Sequence, residues 1–140
     1  MKLNLIVSLF LLLIMGGVLM TEAKTLKENE WDKVFKKSDK VEIEKVSFKN
    51  RYGIELVGDL YIPKDAKSDM PAVAVLGPFG AVKEQASGLY AQTLAEKGFV
   101  TLAFDPSYTG ESGGTPRHVA SPDINTEDFS AAVDYLSNLS

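Results

Sequence analysis

Ala72-Val73-Ala74-Val75-Leu76-Gly77-Pro78-Phe79-Gly80 is the stretch that decides the fold. Five unbroken apolar residues read as a strand buried on both faces, because no residue in the run asks for water. The Gly-Pro-Phe-Gly that follows is a tight loop. Beyond it, Gln85 to Lys97 has helical spacing, with Ala86, Leu89, Tyr90, Thr93 and Leu94 on one face, and Gly98 stops the helix. Phe99 to Phe104 is a second apolar run. A strand–helix–strand order of this kind requires two parallel strands joined by a right-handed crossover. The fold class is therefore α/β.

Upstream, Val41 to Phe48 reads as a strand. Ile54 to Ile62 is a cleaner one, with Ile54, Leu56, Gly58, Leu60 and Ile62 alternating with Glu55, Val57, Asp59 and Tyr61. Asn50-Arg51-Tyr52-Gly53 is the turn of an antiparallel hairpin, and Pro63 ends its second strand. Lys64 to Met70 is a polar loop. Residues 24–40 are a polar lead-in in which Trp31, Val34 and Phe35 have the spacing of a short helix. A solvated segment with one aromatic anchor fits the same residues.

Residues 1–23 have the form of a secretory signal: Lys2, an apolar run from Leu5 to Leu13, and Thr21-Glu22-Ala23 as a cleavage site. The alternative is an uncleaved anchor, for which the run is somewhat short of the roughly 20 residues a bilayer needs. The expectation is export to the periplasm or the outside, with no membrane contact after cleavage. The chain has no Cys, which suits an oxidising compartment and excludes thiolate metal sites and a Cys nucleophile in these residues. One His excludes a multi-histidine metal site. With 15 Lys and Arg against 19 Asp and Glu, the net charge of -4 offers no footprint for nucleic acid.

Asp105 to Asn125 reads as a long loop, and Thr126 to Leu139 as a second helix capped by Asn125 or Thr126, with Phe129, Ala132, Val133 and Leu136 facing the core. Gly110-Glu111-Ser112-Gly113-Gly114 matches G-x-S-x-G. That chemistry needs the Ser on a sharp turn between strand and helix. Here the strand ends near Asp105 and Pro116 follows, so Ser112 is read as a turn residue and not a nucleophile. Ser112, His118 and Asp123 could in principle form a triad, but all three lie in one loop with nothing rigid to hold them. His118 is read as an exposed loop residue. Gly77-Pro78-Phe79-Gly80 after a buried strand suits backbone N–H groups aimed at an anion. One meaning is an oxyanion loop. Another is a dinucleotide phosphate loop with Asp105 as the ribose carboxylate. Against the latter, there is no G-x-G-x-x-G, and Pro78 removes a donor. An ordinary tight connection is the third.

The ordered set of elements resembles the N-terminal half of an α/β-hydrolase, with the closest likeness to exported dienelactone-hydrolase-like or peptidase-like members. Four segments carry it: Trp31 to Phe35, Phe48 to Ile54, Gly77 to Gln85 ending Val82-Lys83-Glu84-Gln85, and Asp105 to Gly114. The last is similar to D-x-R-G-x-G-x-S, with Ser107 and Tyr108 in place of Arg-Gly. The resemblance implies that Ser112 is structural and that Phe79 supplies one backbone oxyanion-hole donor. It implies hydrolysis of a small ester, lactone or peptide, without cofactor or metal, in a complete relative. In family order the nucleophile, acid and His all follow the second helix, so residues 41–140 read as an incomplete domain from which no such catalysis is expected by itself. The resemblance also implies strands in spatial order 1-2-4-3. That leaves the edge of strand 72–76 open to self-association. A non-catalytic pairing module using that edge is the alternative.

Overall fold

The computed structural model describes residues 31–139. The expected signal at 1–23 and the first residues of the lead-in lie outside the described residues. From Lys33 onward the chain forms one compact unit. Its elements are β1 (Val41–Lys49), β2 (Glu55–Pro63), β3 (Ala72–Val75), α1 (Ala86–Ala95), β4 (Val100–Phe104) and α2 (Pro122–Ser137). They form a four-stranded sheet in the order β1-β2-β4-β3. β1 and β2 pair antiparallel over their full lengths, from Val41 opposite Pro63 to Lys49 opposite Glu55. β2 is antiparallel to β4, and β4 is parallel to β3, with Ala72 opposite Val100. This is the expected hairpin followed by a parallel β-α-β unit.

Alternation along the strands splits the core in two. Val41, Tyr61 and Ala103 pack with Ala91 and Ala95 of α1 on one face. Leu60, Leu102 and Phe104 pack with Ala132 and Leu136 of α2 on the other. Phe48 binds the second layer together, stacked on Tyr135 at 5.1 Å and edge-on to Phe104 at 6.0 Å. β2 is thus buried on both faces in mid-strand, Asp59 and Tyr61 included.

The α1 face differs from expectation, and the α2 face differs in part, since Ala132 and Leu136 are buried as expected. α1 buries Ser87, Gly88, Ala91, Gln92 and Ala95, and leaves Leu89 and Tyr90 exposed. The reason is close approach. A Cβ on Gly88 would lie 2.3 Å from the Lys83 carbonyl oxygen and 2.9 Å from the Tyr61 hydroxyl. Only the small side of the helix fits against the sheet. α2 buries Glu127, Asp128, Ala131, Ala132 and Leu136, while Phe129 and Val133 are exposed. It also begins a turn earlier than expected. Ser121 is its N-cap residue and Pro122 opens it, with Asp123 in the first turn where a carboxylate suits the helix dipole. Thr126, expected as a cap, is inside the helix and bonds back to the Pro122 carbonyl at 2.8 Å.

β3 is not buried on both faces. It is the edge of the described sheet, and its residues are exposed to half-buried. The lead-in forms no helix over residues 31–40. It is an extended strap, in which Phe35 packs on the first core layer and Val34 donates to the Glu84 carbonyl at 3.1 Å. Lys33 pairs with the buried Asp59 carboxylate at 2.9 Å.

Candidate functional site

A cavity of about 210 Å³ opens at the carboxyl ends of β3 and β4, lined by the loop 76–80, by Pro106 and Thr109, and by Val119, Ala120, Pro122 and Asn125. Ligands of open α/β sheets bind outside these strand ends, where loops from neighbouring strands diverge. Phe79 stands at its rim with its side chain 81% exposed. The Phe79 N–H has no hydrogen-bond partner among the described residues, while Ala81 closes the turn by donating to Pro78 at 3.0 Å. Gly80 has φ +80°, a conformation that costs a glycine nothing.

The loops on the two sides of this cavity are held by one buried carboxylate. Asp105, at the end of β4, accepts the Lys83 backbone N–H at 2.8 Å through Oδ1. Its Oδ2 accepts the Lys83 ammonium at 3.0 Å and the Glu111 N–H at 2.9 Å. Lys83 and Asp105 are both fully buried. The ammonium also donates to Glu84 at 2.5 Å and to Glu111 at 2.6 Å, and Glu111 reaches out to Lys45 on β1 at 2.8 Å. Gly110 lies so close over this knot that a Cβ there would sit 2.2 Å from the Asp105 carboxylate. With every Asp105 oxygen so engaged, it is not the free carboxylate that a ribose would require. Glu84, Asp105 and Glu111 could together hold a cation, their oxygens lying within 4.8 Å of one another. The Lys83 ammonium already stands among them.

Burial opposes charge on Lys83, but hydrogen bonds to Glu111, Glu84 and Asp105 outweigh it and raise its pKa above the ordinary lysine value. Burial likewise opposes charge on Glu111, yet Lys45 and Lys83 hold its pKa down to about 2, from an ordinary 4.5. A depressed carboxylate pKa stabilises the fold above its unfolded pKa, and that contribution disappears as the pH falls through its folded one. The raised lysine pKa acts in the opposite sense, present below 10.5 and lost above it. Stability is therefore expected to be flat between about pH 5 and 10 and to fall beyond both limits. Urea midpoints across pH would check this. Glu111→Gln should have a shallower acid limb below pH 4.5 than the unaltered protein.

Ser112 is 1% exposed. Its Oγ accepts the Val57 N–H at 2.8 Å and donates to the Asp105 carbonyl at 2.7 Å, so the hydroxyl is spent between β2 and the end of β4. His118 is exposed in the loop with φ +61°, its N–H donating to the Tyr108 carbonyl at 2.8 Å. Asp123 is exposed on the first turn of α2. Arg117 caps the carbonyls of Gly110 and Ser112.

Ser107 and Asn50 belong to a second buried set. The Ser107 Oγ and the Asn50 amide both donate to Asp128 Oδ1 at 2.8 Å, and the Ser107 N–H donates to Oδ2 at 2.8 Å. Asn50 Oδ1 in turn accepts the N–H groups of Tyr52 and Ile54 at 3.0 Å, which shapes the hairpin turn. The Ser that replaces the family's Arg thus ties the loop after β4 to α2. Sequence reasoning missed both polar sets. The one available signal for the first was a Lys-Glu pair following Ala81-Val82 beside a loop, with a carboxylate ending the next strand.

No family model matches the chain. Protein PA2218 of Pseudomonas aeruginosa is 73% identical over 111 residues, which are 79% of this chain and 30% of that protein. The crystal structure of PA2218 superposes with a TM-score of 0.76, at 72% identity over 79% of this chain and 35% of the other. Thiohydrolase aneE of Aspergillus aculeatus is 35% identical over 91 residues, 65% of this chain and 28% of that protein. The crystal structure of the α/β hydrolase GrgF from Penicillium sp. sh18 superposes with a TM-score of 0.62, at 26% identity over 71% of this chain and 33% of GrgF. The chain thus spans about a third of the length of the proteins it matches. Among the described residues no helix is long and apolar enough to cross a membrane. Sheet order, helix placement and these likenesses agree: the chain has a partial α/β-hydrolase fold and falls within the α/β-hydrolase superfamily.

Proposed function

We propose that this chain supplies the oxyanion side of an exported acyl hydrolase that cleaves ester or thioester bonds. The observation that carries the reading is the unpartnered Phe79 N–H at the mouth of a cavity on the carboxyl ends of two parallel strands. As a nucleophile adds to a carbonyl carbon, the C=O π pair moves onto oxygen, and a fixed N–H stabilises the charge that develops there. Collapse of the adduct expels the alkoxide or thiolate and leaves an acyl-enzyme for water to cleave. The nucleophile, acid and His come from chain beyond the second helix, because Ser112 is committed to β2 and Asp105, and His118 faces solvent. That continuation would also cover the edge of β3, which otherwise invites a second copy.

The test is intact mass and esterase assay of the native protein, with p-nitrophenyl butyrate and a butyryl thioester as substrates. A mass above 15.3 kDa and turnover of either substrate are expected. Phe79→Pro removes the N–H and should lower kcat by roughly 100- to 1000-fold with little change in KM. Phe79→Ala, which keeps the N–H, should stay near the unaltered rate. A folded Phe79→Pro protein with full kcat would refute the assignment.

A further inference from the structure

The same cavity has a chemistry that the hydrolase reading leaves unused. Among the described residues no Lys, Arg, Asp or Glu side chain lines it, and its side chains are mostly apolar, with Leu76, Pro78, Pro106 and Val119 among them, while polar atoms make up about half of its exposed wall. Two side chains break the pattern: Thr109, in the loop after β4, and Asn125, in the first turns of α2. Both are half-buried, and neither side chain has a hydrogen-bond partner among the described residues. Neighbouring polar side chains are fully committed by contrast, Ser112 to Val57 and Asp105, Ser107 to Asp128.

An alkyl chain laid against this wall would strip water from the Thr109 hydroxyl and the Asn125 amide and return nothing. Burying a polar group without a partner forfeits its hydrogen bonds to water and weakens binding. A chain with one oxygen at that depth satisfies them. Thr109 can donate or accept, and Asn125 carries two donors and an acceptor, so hydroxyl and carbonyl oxygens are both served. Among the described lining residues a carboxylate or ammonium finds no counter-charge.

We infer that Thr109 and Asn125 select an uncharged acyl group bearing a hydroxyl or keto oxygen. This rests on the hydrolase reading for the word acyl, but the binding preference does not depend on turnover.

The experiment uses the native protein and three matched p-nitrophenyl esters: butyrate, 3-hydroxybutyrate and hydrogen succinate. It adds calorimetric titration with butyramide and 3-hydroxybutyramide, which are not turned over. The 3-hydroxybutyrate ester should exceed the butyrate ester about tenfold in kcat/KM, one hydrogen bond's worth, with the succinate ester poorest. The amides should show the same ratio in affinity. Thr109→Val and Asn125→Leu should each bring the ratio toward one, while Thr109→Ser, which keeps the hydroxyl, should preserve it. Equal use of the two neutral esters would overturn the inference and leave the hydrolase reading standing. So would a preference that survives both substitutions. Amide preference without hydrolysis of any ester would uphold the inference and overturn the hydrolase reading. Equal or absent amide binding by folded protein would overturn the inference.

Discussion

Lys83→Met is expected to lower unfolding stability by about 3–5 kcal/mol, the usual result of removing one partner from a buried ion pair. Lys83 and Asp105 are both without solvent exposure, 3.0 Å apart. Met keeps most of the aliphatic stem, so the loss is electrostatic and not a cavity. Without the ammonium, Glu84, Asp105 and Glu111 are left with their oxygens within 4.8 Å and no cation between them. For a domain whose whole stability is of order 5–15 kcal/mol, this approaches unfolding. The pH response separates this cause from a packing defect. Lys83 is one of the two lysines that hold Glu111 ionised, so acid neutralises that carboxylate more readily in the variant and Lys83→Met should be closer to the unaltered protein at pH 4.5 than at pH 7. Adding Glu111→Gln should recover part of the loss, because it removes one of the three crowded charges and leaves both Asp105 oxygens to accept the backbone N–H groups of residues 83 and 111. Urea unfolding of both variants at the two pH values is the measurement. An equal deficit at both pH values would mean that the ammonium acts only by filling space.

Gly88→Ala has an expected sign opposite to the general rule. In an open helix that change stabilises by about 1 kcal/mol, because alanine restricts the unfolded chain. Here the new methyl would stand 2.3 Å from the Lys83 carbonyl oxygen and 3.0 Å from the Phe35 ring. The carbonyl is backbone and cannot swing aside, and its own residue is locked to Asp105. α1 must retreat from the sheet, losing contact at Ala91 and Ala95. Overpacking of this kind typically costs 1–3 kcal/mol and sometimes more. We expect a net loss of about 2–3 kcal/mol by thermal or urea unfolding. A neutral or stabilising Gly88→Ala would mean that the helix sits further from the strands than described.

What could be read in advance divides along a physical line. The hairpin and the parallel unit were legible because alternation, an unbroken apolar run and turn glycines report the local environment of each element, whereas the strand order followed only from the resemblance to the α/β-hydrolase fold. Ser112 was set aside as a nucleophile because such a Ser needs a strand and helix around it, and its hydroxyl bridges Val57 and Asp105. The helix faces were misread, that of α2 only in part, because apolar spacing weighs large residues, whereas the sheet selected small ones. Leu89, Tyr90, Phe129 and Val133 looked like core and are exposed. The β3 run looked doubly buried because composition cannot tell a central strand from an edge. The Lys83 knot was invisible for a different reason. Lysine and glutamate sort to the surface by default. Only the pairing of residues far apart in sequence, here Lys83 with Asp105, allows their burial.

The Asp105 carboxylate bears on how relatives of this chain can diverge. It binds Lys83 on one loop and Glu111 on another, so the two loops have a fixed length relative to each other. Adding or deleting a residue between Leu76 and Lys83, or between Asp105 and Glu111, would break the clasp. Insertions belong instead in 64–69, which is exposed and lies outside both the clasp and the cavity. Change on the clasped side of the cavity must then proceed by exchange of side chains on loops of constant length, at positions such as 79 and 109. New specificities in such a lineage would arise by substitution, with the loop backbone inherited intact.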